Sequence, residues 1–241
     1  MLSKEHIKAL SVKYQTLEIN IWREYIQNLF LSILYQQKNS DKLFFKGGTA
    51  LRLIHQSPRF SEDLDFTGQD LKLSEIDDLF ITVLSKMESA GLKAKLNEAK
   101  PTSGGYWGEA IFGLDGFTSR IEINISLRKK GTLKGNVITV VQDYLPAYPV
   151  LVLPPEALVE EKLMALKTRQ KPRDYYDLYF ILRHPGLRNY ISSIRLTEIA
   201  KLIAKQPLDF KRDLAPLLPK SHHMVLKNLK NAILSELTAY H

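Results

Sequence analysis

Residues 42–66, KLFFKGGTALRLIHQSPRFSEDLDF, constrain this chain more tightly than any other stretch. The apolar run LFF reads as a buried strand. Gly47-Gly48 then permits a tight turn and a close backbone approach. Helix formers run from Thr49 to His55 and end at Gln56-Ser57-Pro58, because the residue before proline is pushed out of helical geometry. Residues 61–66 alternate polar and apolar, with Glu62 out, Asp63 in, Leu64 out and Asp65 in. That period of two predicts a strand with Asp63 and Asp65 on one face.

Two carboxylates this close cannot both ionise freely unless a cation neutralises them. Oxygen-only ligands suit magnesium, which keeps waters and substrate phosphates in its shell. A bare acid pair is also common on a solvated strand edge, so other residues must support the metal reading. Gly48 lets the backbone approach a phosphate, the helix behind it points its first N–H groups there, and Thr49 adds a hydroxyl. An ordinary strand-to-helix turn would use the same residues. A third acid comes from 118–128, TSRIEINISLR. Ile121, Ile123 and Ile125 share one face of this strand; Glu122, Asn124 and Ser126 share the other. Glu122 could bridge a metal site to an attacking hydroxyl, or be a plain surface residue.

A fourth element is 160–182, EEKLMALKTRQKPRDYYDLYFIL. Lys162 and Ala165 share a helix face, with Arg169 about two turns on, and Lys162 is a compact point charge suited to a triphosphate. Arg173 and Asp174 follow Pro172, and Asp174 shares a face with Asp177. Asp174 equally suits a plain helix cap. The six histidines show no metal spacing, and neither a serine-hydrolase elbow nor a P-loop is present. Tyr106, Trp107, Tyr175 and Tyr176 are candidates for base stacking or for the core.

The remaining chain reads simply. Residues 16–37 form a helix with an apolar stripe of Leu17, Ile21, Tyr25, Leu29, Ile33 and Leu34. Residues 73–90 form another, capped by Ser74 with Asp77 and stopped by Gly91. Residues 92–98 and 106–113 are strands around a Ser-Gly-Gly turn, and 137–152 is strand-like with proline breaks. After Pro154-Pro155, helices are expected at 156–169, 173–184, about 187–206 and 221–238. The boundary therefore falls near 153, with an α/β part at 1–153 and a helical part at 154–241. The chain has 241 residues, and its net charge of +8 suits nucleic acid or nucleotide partners, though a solvated basic surface would look the same. The absence of cysteine excludes disulfides, thiolate zinc sites and a cysteine nucleophile. No stretch reaches the roughly 18 apolar residues of a membrane span, and the N-terminus lacks a signal-peptide core, so a cytoplasmic protein with no membrane partner is expected.

KGGTAL followed by RFSEDLDF resembles the nucleotidyltransferase superfamily signature, a Gly-Gly or Gly-Ser turn, a spacer, then two acids around an apolar residue. With EKLMALKTRQKPRDYYDLYF it is more closely similar to the AbiEii/AbiGii group, the toxin half of type IV toxin–antitoxin pairs. The likeness covers roughly residues 40–185. It implies an α+β fold: a polymerase-β-like core, a mixed sheet flanked by helices, followed by a C-terminal helical domain. It implies Asp63, Asp65 and Glu122 as metal ligands, with Glu122 completing the site or acting as base. Gly47, Gly48 and Thr49 would hold nucleotide phosphates and Lys162 would contact the triphosphate. Asp174 would position base, sugar or Lys162, and Arg173 and Asp177 would join the nucleotide contacts. Thr49 replaces the more general Ser, and the spacer to Asp63 is long for the wider superfamily, which favours the toxin branch.

The activity so implied is magnesium-dependent (or manganese-dependent) transfer of a nucleoside monophosphate from a nucleoside triphosphate to RNA. A tRNA 3′ end is the favoured acceptor, growth is inhibited, and a cognate antitoxin is an implied partner. Arg128, Lys129, Lys130 and Lys134, and the block Lys167, Arg169, Lys171 and Arg173, supply positive charge for RNA. Transfer onto a protein or small-molecule hydroxyl uses the same site, and a non-catalytic nucleotide-binding component of a toxin–antitoxin pair is the remaining rival. On the enzyme reading, the nucleotide is expected in a cleft between the two parts.

Overall fold

The structure is a computed structural model that describes residues 2–114, 116–128, 133–204 and 210–238. The basic turn at Lys129 and Lys130 lies outside these residues. The chain forms two compact units: Met1–Gln56 with Phe60–Leu153, and Ser57–Arg59 with Pro154–His241.

The first unit holds α1 (Lys4–Lys13), α2 (Glu18–Leu34), β1 (Leu43–Lys46), α3 (Gly47–His55), β2 (Leu64–Gln69) and α4 (Leu73–Ser89). Then come β3 (Lys93–Thr102), β4 (Gly105–Leu114), β5 (Phe117–Arg128), β6 (Asn136–Val140) and β7 (Tyr148–Val152). The seven strands make one mixed sheet in the order β3-β4-β5-β2-β1-β7-β6. β1 runs antiparallel to β2, and β2 runs parallel to β5. The alternation in β5 fixes which face is buried, since Ile121, Ile123 and Ile125 are all sealed in the core.

Three expectations need correction. β2 starts at Leu64 rather than at residue 61, and Leu64 and Phe66 are its core-facing residues at 0% exposure. Asp63 precedes the strand, and Asp65 lies on the opposite, half-buried face. On α2 the buried face is wider than the expected stripe: Ile21, Tyr25 and Leu34 are sealed as expected, Trp22, Ile26 and Phe30 are sealed beside them, and Leu17 is largely exposed. The i, i+4 spacing of these bulky side chains decides the helix face. α4 is not capped by Ser74; instead Glu75 accepts from the Lys72 backbone N–H at 2.8 Å. Gly91 does stop that helix, at φ +91, just past the Ala90 cap.

α3 is bolted to α2 by a buried polar network. Arg52 donates to Glu24 Oε2 at 2.6 Å and to Oε1 at 3.3 Å, and its guanidinium lies 3.9 Å from the Phe60 ring centroid. The Tyr144 hydroxyl donates to Glu24 Oε1 at 2.8 Å. Burial and the neighbouring Glu24 carboxylate hold the Tyr144 phenol far above its usual pKa, so it stays a donor.

The second unit contains α5 (Pro155–Thr168), α6 (Pro172–Arg183), α7 (Ser193–Ala204), α8 (Lys211–Leu214), α9 (His223–Leu226) and α10 (Leu229–Thr238). The expected helices at 187–206 and 221–238 are shorter and broken, because 3-10 turns occupy Arg188–Tyr190 and Lys220–His222.

Replacing Glu24 by alanine removes one partner and leaves Arg52 as an uncompensated, largely buried charge. The expected loss is about 3–5 kcal/mol of unfolding free energy, read by urea titration. A loss below about 1 kcal/mol would show that α3 does not depend on this bolt.

Candidate active site

The site is set by strand pairing. In the β1–β2 ladder Lys46 sits opposite Asp65, and Gly47 follows immediately. Gly47 has φ +83, a left-handed conformation, and a Cβ placed on it would overlap the Asp65 Oδ2 carboxylate oxygen. Glycine is therefore required twice, once by the backbone and once by the acid that fills the space a side chain would take. The turn and the acid segment, separate in sequence, meet at this point. The fully buried Thr49 adds a second tie, since its hydroxyl donates to the Asp63 carbonyl.

Across the sheet Asp65 pairs with Asn124 of β5, whose amide donates to Asp65 Oδ1 at 3.3 Å. Lys46 is buried and donates to Ser126 at 3.2 Å, so an ammonium lies on the same strand face as the acid. Glu122 lies opposite Glu109, one position before the first pair of the β2–β5 ladder. Trp107 Nε1 donates to Glu122 Oε2 at 3.2 Å, and Lys100 lies 5.0 Å from the Trp107 ring centroid. Among the described residues no three His, Asp or Glu side chains gather as a metal cage. The β5 side chain beside Asp65 is the amide of Asn124, while Glu122 precedes Ile123 as Asp63 precedes its ladder partner Leu64.

Two half-buried carboxylates still fit a hard divalent cation. Such an ion takes few ligands from protein and completes its shell with water and phosphate oxygen. Asp63 and Asp65 would hold it.

In the helical unit, Lys162 of α5 is buried and donates to Asp177 Oδ2 of α6 at 2.7 Å. Arg59 grips the same carboxylate from the other side, at 2.8 Å to Oδ1 and 3.0 Å to Oδ2. Asp177 is 1% exposed, so it acts as the holder of Lys162 rather than as a surface reaching for a nucleotide. Burial alone would raise its pKa, but Arg59 and Lys162 outweigh that and lower it from 3.8 to about 2. Asp174 is engaged elsewhere. Arg169 donates to it at 2.6 Å and 3.0 Å, and the Lys171 backbone N–H donates at 3.0 Å, so it completes a capping box at the start of α6. The acid that meets Lys162 is therefore Asp177, not Asp174. Arg173 is half-buried at the same helix start. Sequence reasoning missed Arg59, and it did not give Asn124 or Trp107 their partners Asp65 and Glu122. Only Arg59 carried a signal, as a charge followed by an apolar residue immediately before the acid segment.

The chain has the fold of MenT4, a nucleotidyltransferase toxin from Mycobacterium tuberculosis H37Rv. The TM-score is 0.66 at 18% identity, covering 99% of this chain and 90% of that one. JHP933 from Helicobacter pylori matches with a TM-score of 0.57 at 20% identity, covering 93% and 96%. Identities this low establish the fold alone, a nucleotidyltransferase α+β architecture. Comparison with curated proteins gives no match. The family model for the nucleotidyl transferase AbiEii toxin of type IV toxin–antitoxin systems matches residues 29–237, so the chain belongs to the AbiEii family. It is a nucleotidyltransferase of that toxin class.

Gly47→Ala is expected to lower unfolding free energy by at least about 1–2 kcal/mol through left-handed strain alone, with displacement of Asp65 adding to it. An unchanged urea midpoint would contradict the overlap. The Asp177 shift also has a pH signature. Its folded pKa is depressed, so its contribution is complete above about pH 4 and is lost as pH falls through about 2. A shift of this size is worth about 2.5 kcal/mol. The stability gap between wild type and Asp177→Asn should shrink by that order between pH 4 and pH 2. A constant gap over that window would mean the knot does not hold the charge.

Proposed function

We propose that the chain transfers a nucleoside monophosphate from a nucleoside triphosphate to a hydroxyl of RNA, with a tRNA 3′ end the favoured acceptor. The observation that carries this is the seating of the Asp65 carboxylate against the Gly47 turn. It brings a cation-binding group and a phosphate-binding backbone to one point on the sheet.

Asp63 and Asp65 would hold magnesium, or manganese in its place. Such an ion neutralises phosphate charge and stabilises the attacking and leaving oxygens. Gly47 and Gly48 offer backbone N–H groups at the start of α3 to the phosphates. Lys162 contacts the triphosphate as a point charge, because Asp177 takes one of its three N–H donors and leaves the others. Asp174 and Arg173 order the start of α6 behind it. The acceptor oxygen attacks the α-phosphorus and forms a new P–O bond. The bond from that phosphorus to the β-bridging oxygen breaks and pyrophosphate leaves. The acceptor proton goes to the Glu122 carboxylate, whose other function is to accept from Trp107. The reaction gives the toxin its effect by blocking an RNA end, work done in the cytoplasm and restrained by a cognate antitoxin.

Purified protein incubated with a divalent cation, each labelled nucleoside triphosphate and total RNA should place label on RNA. Asp65→Asn should reduce transfer below about 1% of wild type and relieve growth arrest on expression. Label appearing on protein instead of RNA would overturn the acceptor. Full activity of Asp65→Asn would overturn the site.

A further inference from the structure

The net charge of +8 is not shared between the two units. The helical unit carries sixteen Lys and Arg against nine Asp and Glu, a balance of +7; the sheet unit carries eighteen against seventeen, a balance of +1. Much of the helical unit's charge is consumed in ion pairs. Lys162 and Arg59 face Asp177, Arg169 faces Asp174, Lys167 faces Glu198, Arg183 faces Glu236, and Arg195 faces Glu160. These pairs lie on α5, α6, α7 and α10 and on the Ser57–Arg59 segment.

The stretch 210–230 is rich in exposed cations. It holds Lys211, Arg212, Lys220, Lys227 and Lys230, two histidines, and a single acid, Asp213. Lys211 and Arg212 lie on α8, Lys220 opens the 3-10 turn that runs into α9, and Lys227 follows α9 directly. α8 packs against α9, so these four exposed cations share one corner of the unit. That corner is anchored, not loose. Phe210, Leu214, Leu218, Leu226 and Leu229 are buried beneath it, and Phe210 sits 5.1 Å from the Tyr175 ring on α6. His223 Nε2 lies 3.0 Å from the Ala215 carbonyl and 3.2 Å from that of Leu218, tying the turn back. Like charges gathered on one apolar footing repel one another, a cost that a polyanion removes.

We infer that the α8–α9 corner is the RNA-docking surface of the chain, gripping the phosphate backbone through Lys211, Arg212, Lys220 and Lys227. This rests on the reading of RNA as the acceptor and assigns the docking to a part of the chain that carries none of the transfer residues. Phosphate contacts position a nucleic acid without reading its bases, so the surface holds the body of the RNA whatever its sequence.

The test is binding of a mixed tRNA preparation to the full chain across a salt series. The variants are K211A/R212A/K220A/K227A and, as a control on the other unit, K86A/K93A/K95A. The quadruple variant should lose about a hundredfold in affinity near 0.1 M salt and flatten the log–log salt slope by about 3. The control should stay within about twofold. Single Lys→Gln variants, each losing about fivefold with an unchanged unfolding midpoint, separate docking from folding. Unchanged affinity in the quadruple variant overturns the inference and leaves the transferase reading standing. Salt-dependent binding through these four residues with no transfer to RNA keeps the surface and overturns the acceptor. Equally tight binding of polyglutamate would overturn the choice of RNA.

Discussion

The antiparallel pairing of β1 with β2 is the constraint on which the site depends. Because Lys46 sits opposite Asp65, the residue after Lys46 must share space with the Asp65 carboxylate. Only a residue without a Cβ, able to take a positive φ, satisfies that geometry. A one-residue slip would turn Asp65 into the core and bring Leu64 to the open face. The register is protected from such a slip by apolar burial. Leu64 and Phe66 are sealed beneath, Phe45 stacks near Phe66, and the three isoleucines of β5 fill the adjoining face. Ordinary core packing therefore sets the position of the Asp65 carboxylate.

The helical unit meets a different problem, which is orienting a buried cation. Asp177 accepts from Lys162, and Arg59 keeps Asp177 from swinging towards any other donor. The planar fork of arginine fixes both carboxylate oxygens, which a lysine at the same position could not do. Order propagates from Arg59 to Asp177 to Lys162 through rigid hydrogen bonds.

Much of this could be read from residue order, and the reason is periodicity. The alternation at 118–128 identified β5 and its buried face, and the glycine pair identified the turn before α3. Pro172 with Asp174 three residues after Lys171 marked the start of α6. What could not be read was anything set by register between distant strands or helices. Asn124 and Glu122 have the same pattern around them, and only the ladder with β2 decides which one faces Asp65. Arg59 and Asp177 lie 118 positions apart, and no local spacing links them. Trp107 finds Glu122 only because β4 folds back on β5. The wider buried face of α2 has a similar origin: several phases of that helix are apolar, and packing seals Trp22, Ile26 and Phe30 beside Ile21, Tyr25 and Leu34.

The helical unit is not one run of sequence, since Ser57–Arg59 belongs to it while the residues on either side belong to the sheet unit. This bears on how such a chain can diversify. A recombination joint at residue 153 would look harmless, because it falls between two folded bodies. It would nevertheless deliver a foreign helical unit to a resident Arg59, and Asp177 would accept that arginine only if its own surroundings had been shaped around it. A joint that keeps this contact must carry Ser57–Arg59 along with the helical unit.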